Sequence, residues 1–563
     1  MRTICHAGET LFVVYSPELT SYEFEIAEML ANRISALFNV RPVLVQRTAE
    51  GDSLINGKPA LLIGRTGCAE SLRAAGEISY GEGLLRVFGN HVVLACWNDD
   101  VLPQLAVHLL SLLARGENGE LTLPQNADGF RLSDGSYLSR LPVCEAGKIV
   151  NTRKTGDDCK MVVLGETKPE DHAAYVKSLT DAGMTLCRNR EIHGNLFATL
   201  TDGVALYHVN YTPCNGYLRL IAEPKENAPE SVRDDRRVCT PKLFVTGCRF
   251  STANRYLGVD AGAGNMSYAL LLSNGEFLLI DGGTPADAYA DAIMKILREN
   301  APDPEHITVA AWIITHTHGD HTGAFYRISE KYAAEGKITI RQLITNFPSM
   351  QDAECYRELW QIRHTKEYLR KYWNGTPFRK VHVGDELEFA DAKIDVLYTH
   401  EELIRQYFCL LNEKEYNNCS LFFRIRIAGE TIMITGDTED TANKLIAALY
   451  GEELKSDLLQ VCHHGGRGGT RELYGLIDPE VAFFCTSEAL YPKYLSLDYN
   501  YALVYEQHLK EAYNASECTF TFDLPYHAKG RRIPPFIGER TYKRAKYLES
   551  LAAIEADAET SKK

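Results

Sequence analysis

The sequence predicts a multidomain α/β protein, and three features carry that expectation. Short apolar runs alternate with amphipathic stretches along most of the chain, and one proline- and charge-rich segment interrupts them. The length of 563 residues corresponds to about three to four globular units. Hydrophobic residues at 45% and charged residues at 24% suit a chain that buries several cores. No run of about 18 apolar residues offers a membrane span. The first residues lack the cationic and apolar segments of a secretory leader, so a cytoplasmic location without membrane association is expected. Fifteen scattered cysteines, none in a CxxC pair, suit thiols in a reducing compartment rather than a disulfide framework. The balance of 60 Lys and Arg against 75 Asp and Glu gives a net charge of −15, which repels nucleic acid and anionic lipid at long range.

Residues 1–140 read as an α/β accessory module. Leu11 to Val14 is an apolar strand, and Ile26, Leu30, Ile34 and Leu37 follow near helical spacing. A buried strand ends at Gly64. Leu84–Phe88 and His91–Ala95 flank Gly89-Asn90, a two-residue hairpin signal, and Val101–Leu113 is helical. Residues 141–223 read as a small α+β module, with a strand at Met161–Leu164 and a helix at Pro169–Ala182. Three alternating strands follow, broken at Asp202-Gly203 and Asn215-Gly216. Residues 224–241 have little apolar content to bury and read as a linker. Residues 242–540 alternate strands and helices and hold the chemical signals, and 541–563 read as a charged helix and tail.

The sharpest signal is Ala310-Ala-Trp-Ile-Ile-Thr-His-Thr-His-Gly-Asp-His, a buried strand that runs into a loop carrying His316, His318, Asp320 and His321. Imidazoles and a carboxylate crowded at a strand end need a shared partner or water, and a divalent metal is the economical partner. His316 and His318 can address one point while Asp320 and His321 address a second. Further on, Asp437 follows the apolar strand Glu430-Thr-Ile-Met-Ile, and a carboxylate there has two oxygens to share between two cations. By itself Gly-Asp-Thr reads more readily as a cap on a helix beginning near Asp440, and only the other segments reverse that preference. His463 and His464 end another strand. In an extended chain their rings point opposite ways, so one of the two is expected to bind metal.

His316-Thr-His318-Gly-Asp320-His321 resembles the HxHxDH signature of the metallo-β-lactamase superfamily. Three further segments fall in that family's order: Ser267 to Asp281-Gly-Gly, Glu430 to Asp437, and Asp457 to His463-His464-Gly-Gly. The resemblance implies an αβ/βα sandwich over 242–540. It also implies a metal set of His316, His318, Asp320, His321, Asp437 and one of His463 and His464, with Asp320 and His321 catalytic and Asp281 and Asn418 supporting. The implied cofactor is zinc, two ions per chain, although the same donors accept iron or manganese. A metal-bound hydroxide would serve as nucleophile. The closest likeness is to the His-His-Gly-Ser branch, which includes the DNA-uptake channel domain and the teichoic acid phosphocholine esterases, and it favours phosphodiester or phosphate ester hydrolysis. The alternatives are a binding or sensing protein with a degenerate domain, a nuclease, or a lactone, thioester or lactam hydrolase.

Two departures from that pattern matter. Gly466-Arg467-Gly468-Gly469 stands where the branch has Ser, which predicts a flexible cationic loop with Arg467 as a candidate phosphate or carboxylate clamp. The segment before Asp437 reads Asn418-Cys-Ser420, with no histidine, so the first metal site is expected to be one ligand short. His400 is the nearest replacement in sequence, and a capping or surface role is its plainer reading. Tyr526 and His527 are conceivable leaving-group donors, against a plainer reading as an aromatic turn.

Overall fold

The computed structural model describes residues 1–16, 21–47, 55–64, 66–97, 101–247, 266–350, 353, 359–403, 416–488 and 490–536. The helix expected at 541–563 lies outside the described residues. Two compact units emerge. One contains Met1–Asn189 and Leu196–Lys225; the other contains Arg190–Asn195, Glu226–Leu403 and the described residues after 415.

In the first unit, one six-stranded sheet runs Pro42–Gln46, Leu11–Tyr15, Ala60–Ile63, His91–Cys96, Glu82–Phe88 and Phe130–Ser133, with its first four strands parallel. Alternation sorts its side chains. Leu11, Val13 and Leu61 pack on one face with Ile26, Leu30 and Ile34 of helix Ser21–Phe38 and with Leu102 and Leu105 of helix Leu102–Leu112. Phe12, Val14 and Leu62 pack on the other face with Ala74. A three-stranded sheet joins Arg2–Cys5, Leu121–Leu123 and Ala114–Arg115. A further six-stranded sheet is antiparallel and carries helix Pro169–Asp181. It includes strands Lys148–Lys154 and Thr185–Ile192, which the sequence reading does not mark because none of their residues is buried and no apolar face announces them.

The second unit is a sandwich. An eight-stranded sheet runs from Phe378–Lys380 through Leu343–Thr345, Ile307–Ile313, Phe277–Ile280, Tyr268–Leu271 and Lys242–Val245 to Phe520–Asp523, with Ile338–Ile340 beside Ile307–Ile313. A seven-stranded sheet runs Glu386–Phe389, Ala392–Tyr398, Phe422–Ile427, Glu430–Ile434, Leu458–Gln460, Val481–Phe484 and Glu511–Asn514. Leu243, Leu270, Leu278 and Ile313 of the first sheet meet Ile394, Ile425, Ile432 and Phe483 of the second in one buried layer. Ala269, Leu279 and Trp312 face outward under helices Asp287–Asn300, Gly319–Tyr332 and Leu359–Tyr372. Helices Asp440–Tyr450 and Arg471–Ile477 are the crossovers between parallel strands of the second sheet. The proline- and charge-rich stretch runs along this unit on polar bonds: Val232 N donates to Glu388 O at 2.8 Å and Glu230 N to Gln342 Oε1 at 2.9 Å.

The same topology assembles one functional edge. Phe277–Ile280 pairs in parallel with Ile307–Ile313, so Asp281 and the His316 loop leave the sheet side by side. Glu430–Ile434 pairs in parallel with Leu458–Gln460, which delivers Asp437 and His463 together. Residues carried at the carboxyl ends of parallel strands are where α/β folds place their ligands.

Gly323, on the buried face of helix Gly319–Tyr332, seats this edge. A Cβ there would stand 2.1 Å from Pro285 N and 2.4 Å from Thr284 C, backbone atoms that cannot swing aside. Gly323→Ala is therefore expected to lower stability by about 1–3 kcal/mol in denaturant unfolding. Gly319→Ala, which meets nothing within 4 Å, should change it by about 0.5 kcal/mol or less. Equal effects at the two glycines would contradict this packing.

Candidate metal centre

His316 and His318 lie where the chain leaves strand Ile307–Ile313, and Asp320 and His321 lie on the first turn of helix Gly319–Tyr332 rather than in a loop. The helix starts earlier than the sequence suggests, with His318 in extended conformation as its N-cap. This turn places the Asp320 carboxylate at the positive end of the helix. His316 and His321 are fully buried. His316 Nε2 and His318 Nδ1 face each other at 2.9 Å. Two imidazole nitrogens at that distance must share a proton or turn together toward a cation.

Asp281 fixes this loop. It adopts φ 54°, in the left-handed region, as the strand Phe277–Ile280 turns into Gly282-Gly283. Its carboxylate accepts from Thr315 N at 2.7 Å, from Thr315 Oγ1 at 2.8 Å and from His321 Nδ1 at 2.8 Å. A carboxylate only accepts here, so His321 carries its proton on Nδ1 and presents Nε2 as a lone pair in its neutral form.

Asp437 is the hub. Its Oδ2 lies 3.2 Å from His321 Nε2, 3.3 Å from His464 Nε2, 3.6 Å from His463 Nε2 and 3.9 Å from His316 Nε2. Glu439, not Asp437, occupies the N-cap of helix Asp440–Tyr450. Gln460 holds the preceding turn, accepting from Thr435 N and Gly436 N at 2.7 and 2.8 Å and donating to Gly436 O at 3.0 Å. Ser420 Oγ accepts from Asp437 N at 3.0 Å and lies 3.2 Å from His316 Nδ1, so it ties the carboxylate turn to the histidine loop. Asn418 acts one step further out, where its Oδ1 accepts from Glu439 N at 2.8 Å.

The expectation of opposed rings at His463 and His464 does not hold. Both residues sit in the left-handed region, at φ 45° and 57°, so the chain there is a tight turn and not extended. Both Nε2 atoms consequently approach Asp437, and His464 Nε2 also lies 3.3 Å from Asp320 Oδ2. The following glycines are close-packed rather than slack: a Cβ at Gly465 would meet Phe484 at 2.8 Å, and one at Gly468 would meet Glu439 Cα at 2.3 Å. Arg467 rises from this loop with its side chain 65% exposed, 4.0 Å from Glu439 Oε1. His400 is not among the described groups that converge on Asp437; it is buried in the short turn His400–Glu402. Tyr526 is engaged elsewhere, donating to Glu511 Oε2 at 2.7 Å and lying 3.1 Å from Tyr513 Oη.

Sequence reasoning missed Glu439, Gln460 and Thr315. Gln460 alone carried a signal, as a polar residue inside the apolar run Leu458-Leu-Gln460-Val. Glu439 and Thr315 act through positions that only the fold defines.

The donor set fits a pair of cations. His316, His318 and Asp437 offer ligand atoms within 4.8 Å of one another, and so do Asp320, His321 and His464. Asp437 Oδ1 is buried without a hydrogen-bond partner, and His321 Nε2 and His464 Nε2, 3.2 and 3.3 Å from Asp437 Oδ2, lie outside hydrogen-bond geometry, an arrangement that a shared ion would satisfy. Burial opposes charge on His321 and His464. The carboxylates of Asp437 and Asp281 nonetheless hold His321 well above the usual histidine range, and Asp437 with Asp320 lifts His464 to about 9. Burial likewise opposes charge on Asp437, and His321, His464 and His463 outweigh it and hold the carboxyl well below the usual range. For His316 burial dominates and favours the neutral ring, the form that ligates.

These shifts predict proton release. Both shifts favour imidazolium at His321 and His464 in the metal-free protein, so that a cation must displace their protons. Zinc-binding enthalpy should therefore vary with buffer ionisation enthalpy in titration calorimetry, and apparent affinity should rise with pH toward about 9. Enthalpy independent of buffer would contradict it. Asp281→Asn should weaken zinc binding by about 10–100-fold, measured by competition with a chromogenic chelator; unchanged affinity would remove Asp281 from this role.

The metallo-beta-lactamase superfamily model matches residues 262–485, under half of the chain. No curated protein matches. Among solved structures, CmlA, a diiron beta-hydroxylase from Streptomyces venezuelae, is 14% identical over 54% of this chain and 55% of its own, with a TM-score of 0.28. The match thus spans about half the length of CmlA. Yeast PDE1 is 11% identical over 43% of this chain and 87% of its own, with a TM-score of 0.28. Likeness at this level transfers no reaction. Residues 262–485 form a metallo-beta-lactamase superfamily domain, preceded by sheet-rich modules in a mixed α/β chain.

Proposed function

We propose that this chain is a metal-dependent hydrolase with a dinuclear centre, zinc being the leading metal, and that it acts on phosphodiesters or phosphate esters. The observation that carries the reading is Asp437 Oδ2, within 3.9 Å of imidazole nitrogens from His316, His321, His463 and His464. A single buried carboxylate among so many imidazoles suits an oxygen shared between two cations. His316 and His318 would hold one ion, and Asp320, His321 and His464 the other, with Asp437 between them. Divalent ions there would supply Lewis-acid polarisation of an ester or phosphoryl oxygen and acidify water.

The chain's own groups account for the remaining steps. Asp281 keeps the proton of His321 on Nδ1 and the ring in place. Asp320, its side chain more exposed than that of Asp437 at 22% against 2%, can orient attacking water by accepting its hydrogen bond. Arg467 stands at the rim, where its guanidinium can pair with a phosphate oxygen. The His463-His464-Gly465 likeness to the phosphodiesterase-containing branch and this arginine favour phosphate esters over lactones, thioesters or lactams. The net charge of −15 favours a compact substrate over a long nucleic-acid footprint. Among the described residues no helix is long and apolar enough to cross a membrane. The modules at 1–140 and 141–223 are assigned an accessory role.

The test is hydrolysis of a chromogenic phosphodiester by the full chain. Chelator should abolish turnover and added zinc should restore it. Asp437→Asn should lower kcat/KM by about 100-fold or more, equivalent to about 2.7 kcal/mol of transition-state stabilisation. Turnover that survives both treatments would overturn the reading. Zinc-dependent turnover of a lactone or thioester alone would overturn the substrate class and leave the metal centre standing.

A further inference from the structure

The sequence leaves the site of His316 and His318 one imidazole short, and the structure places a further imidazole near the Asp437 carboxylate that this site uses. His464 Nε2 is committed on the other side, 3.3 Å from Asp320. His463 Nε2 lies 3.6 Å from the same Asp437 oxygen. Its opposite nitrogen, Nδ1, is 3.2 Å from Glu439 Oε1. Glu439 is itself held in place: Asn417 Nδ2 donates to Oε1 at 2.8 Å, and the Glu439 backbone N donates to Asn418 Oδ1 at 2.8 Å. At His321 the corresponding nitrogen makes a full hydrogen bond, with Asp281 taking Nδ1 and leaving Nε2 toward Asp437; Glu439 stands in the equivalent place beside His463, close to Nδ1 but outside hydrogen-bond geometry. The left-handed turn permits it. Adjacent residues of an extended chain point apart, whereas at φ 45° and 57° both rings face one carboxylate. His463 N donates to Gly436 O at 3.1 Å, which fixes the turn against the Asp437 loop.

We propose that His463 supplies the missing imidazole to the ion held by His316, His318 and Asp437, and that Glu439 is the positioning residue that aims it. On this account the paired histidines are not alternatives. His464 serves the ion of Asp320 and His321 and His463 serves the other, with Asp281 bonded behind His321 and Glu439 standing behind His463. The inference rests on the metal-centre reading above and adds the division of labour between the two histidines.

The experiment is a titration of the metal-free full chain with Co2+, followed by visible absorption and by binding isotherm. Wild type should take up about two ions. His463→Gly removes the imidazole and suits the left-handed backbone. It should weaken one of the two binding steps by more than about 100-fold and alter the Co2+ bands of that step alone. Glu439→Ala should weaken the same step by about 10–100-fold, and Glu439→Gln, whose amide oxygen can still accept from Nδ1, should recover part of that loss. His464→Ala should strike the other step. Two ions bound by His463→Gly with wild-type affinity and bands would overturn the assignment while leaving the metal centre intact. A wild-type chain that takes up no Co2+ would overturn the metal-centre reading itself, and this inference with it.

Discussion

A carboxylate that is 1% exposed and ringed by four imidazoles governs this structure. Asp437 at the end of an apolar strand is unfavourable alone, because burial penalises its charge. It becomes tolerable only when positive charge gathers around it, as imidazolium in the metal-free chain or as cations in a loaded one. The elements that meet there are arranged to that end. The histidine loop with the helix turn that continues it, and the turn at His463-His464, come from distant parts of the sequence, and each contributes nitrogens facing Asp437. What joins them is a set of buried hydrogen bonds: Asp281 to His321, Ser420 to Asp437, and Gln460 to the Gly436 turn.

Those bonds explain why the edge of the sandwich is so tightly built. Strain appears where the chain must turn sharply to bring a group inward, at Asp281, His463 and His464, all of them in the left-handed region that side chains with a Cβ avoid. Three such residues at one edge indicate a geometry imposed by the surroundings. Asp281 is held by bonds to Thr315 and His321, and the His463 turn by a bond to Gly436. The glycines after His464 extend the same logic, since their neighbours leave no room for a side chain.

The sequence made the strands and the metal donors legible for a simple reason: both are local signals. Apolar runs at Leu11, Ala60, Met161, Phe277 and Ile307 mark strands because burial on both faces leaves few alternatives. The crowding of His316, His318, Asp320 and His321 is visible because so many donors in so short a span have few structural uses. The roles of His463 and His464 were not legible. Reading them as opposed assumed an extended backbone, and the left-handed turn that brings both rings inward has no marker in the residues themselves. The looseness expected of the loop around Arg467 failed likewise, because glycine permits close approach as readily as mobility, and only the neighbours decide which. Glu439, one residue before a helix, carries no signal of its own in the sequence, and only the fold sets it against His463.

The chemistry proposed for this edge requires that the cluster of donors hold metal. Elemental analysis of protein purified without chelator tests it most directly, with Asp437→Asn purified alongside. About two divalent ions per wild-type chain, falling sharply in the variant, is the predicted result. Wild-type protein without stoichiometric metal, and without uptake when zinc is supplied, would contradict it.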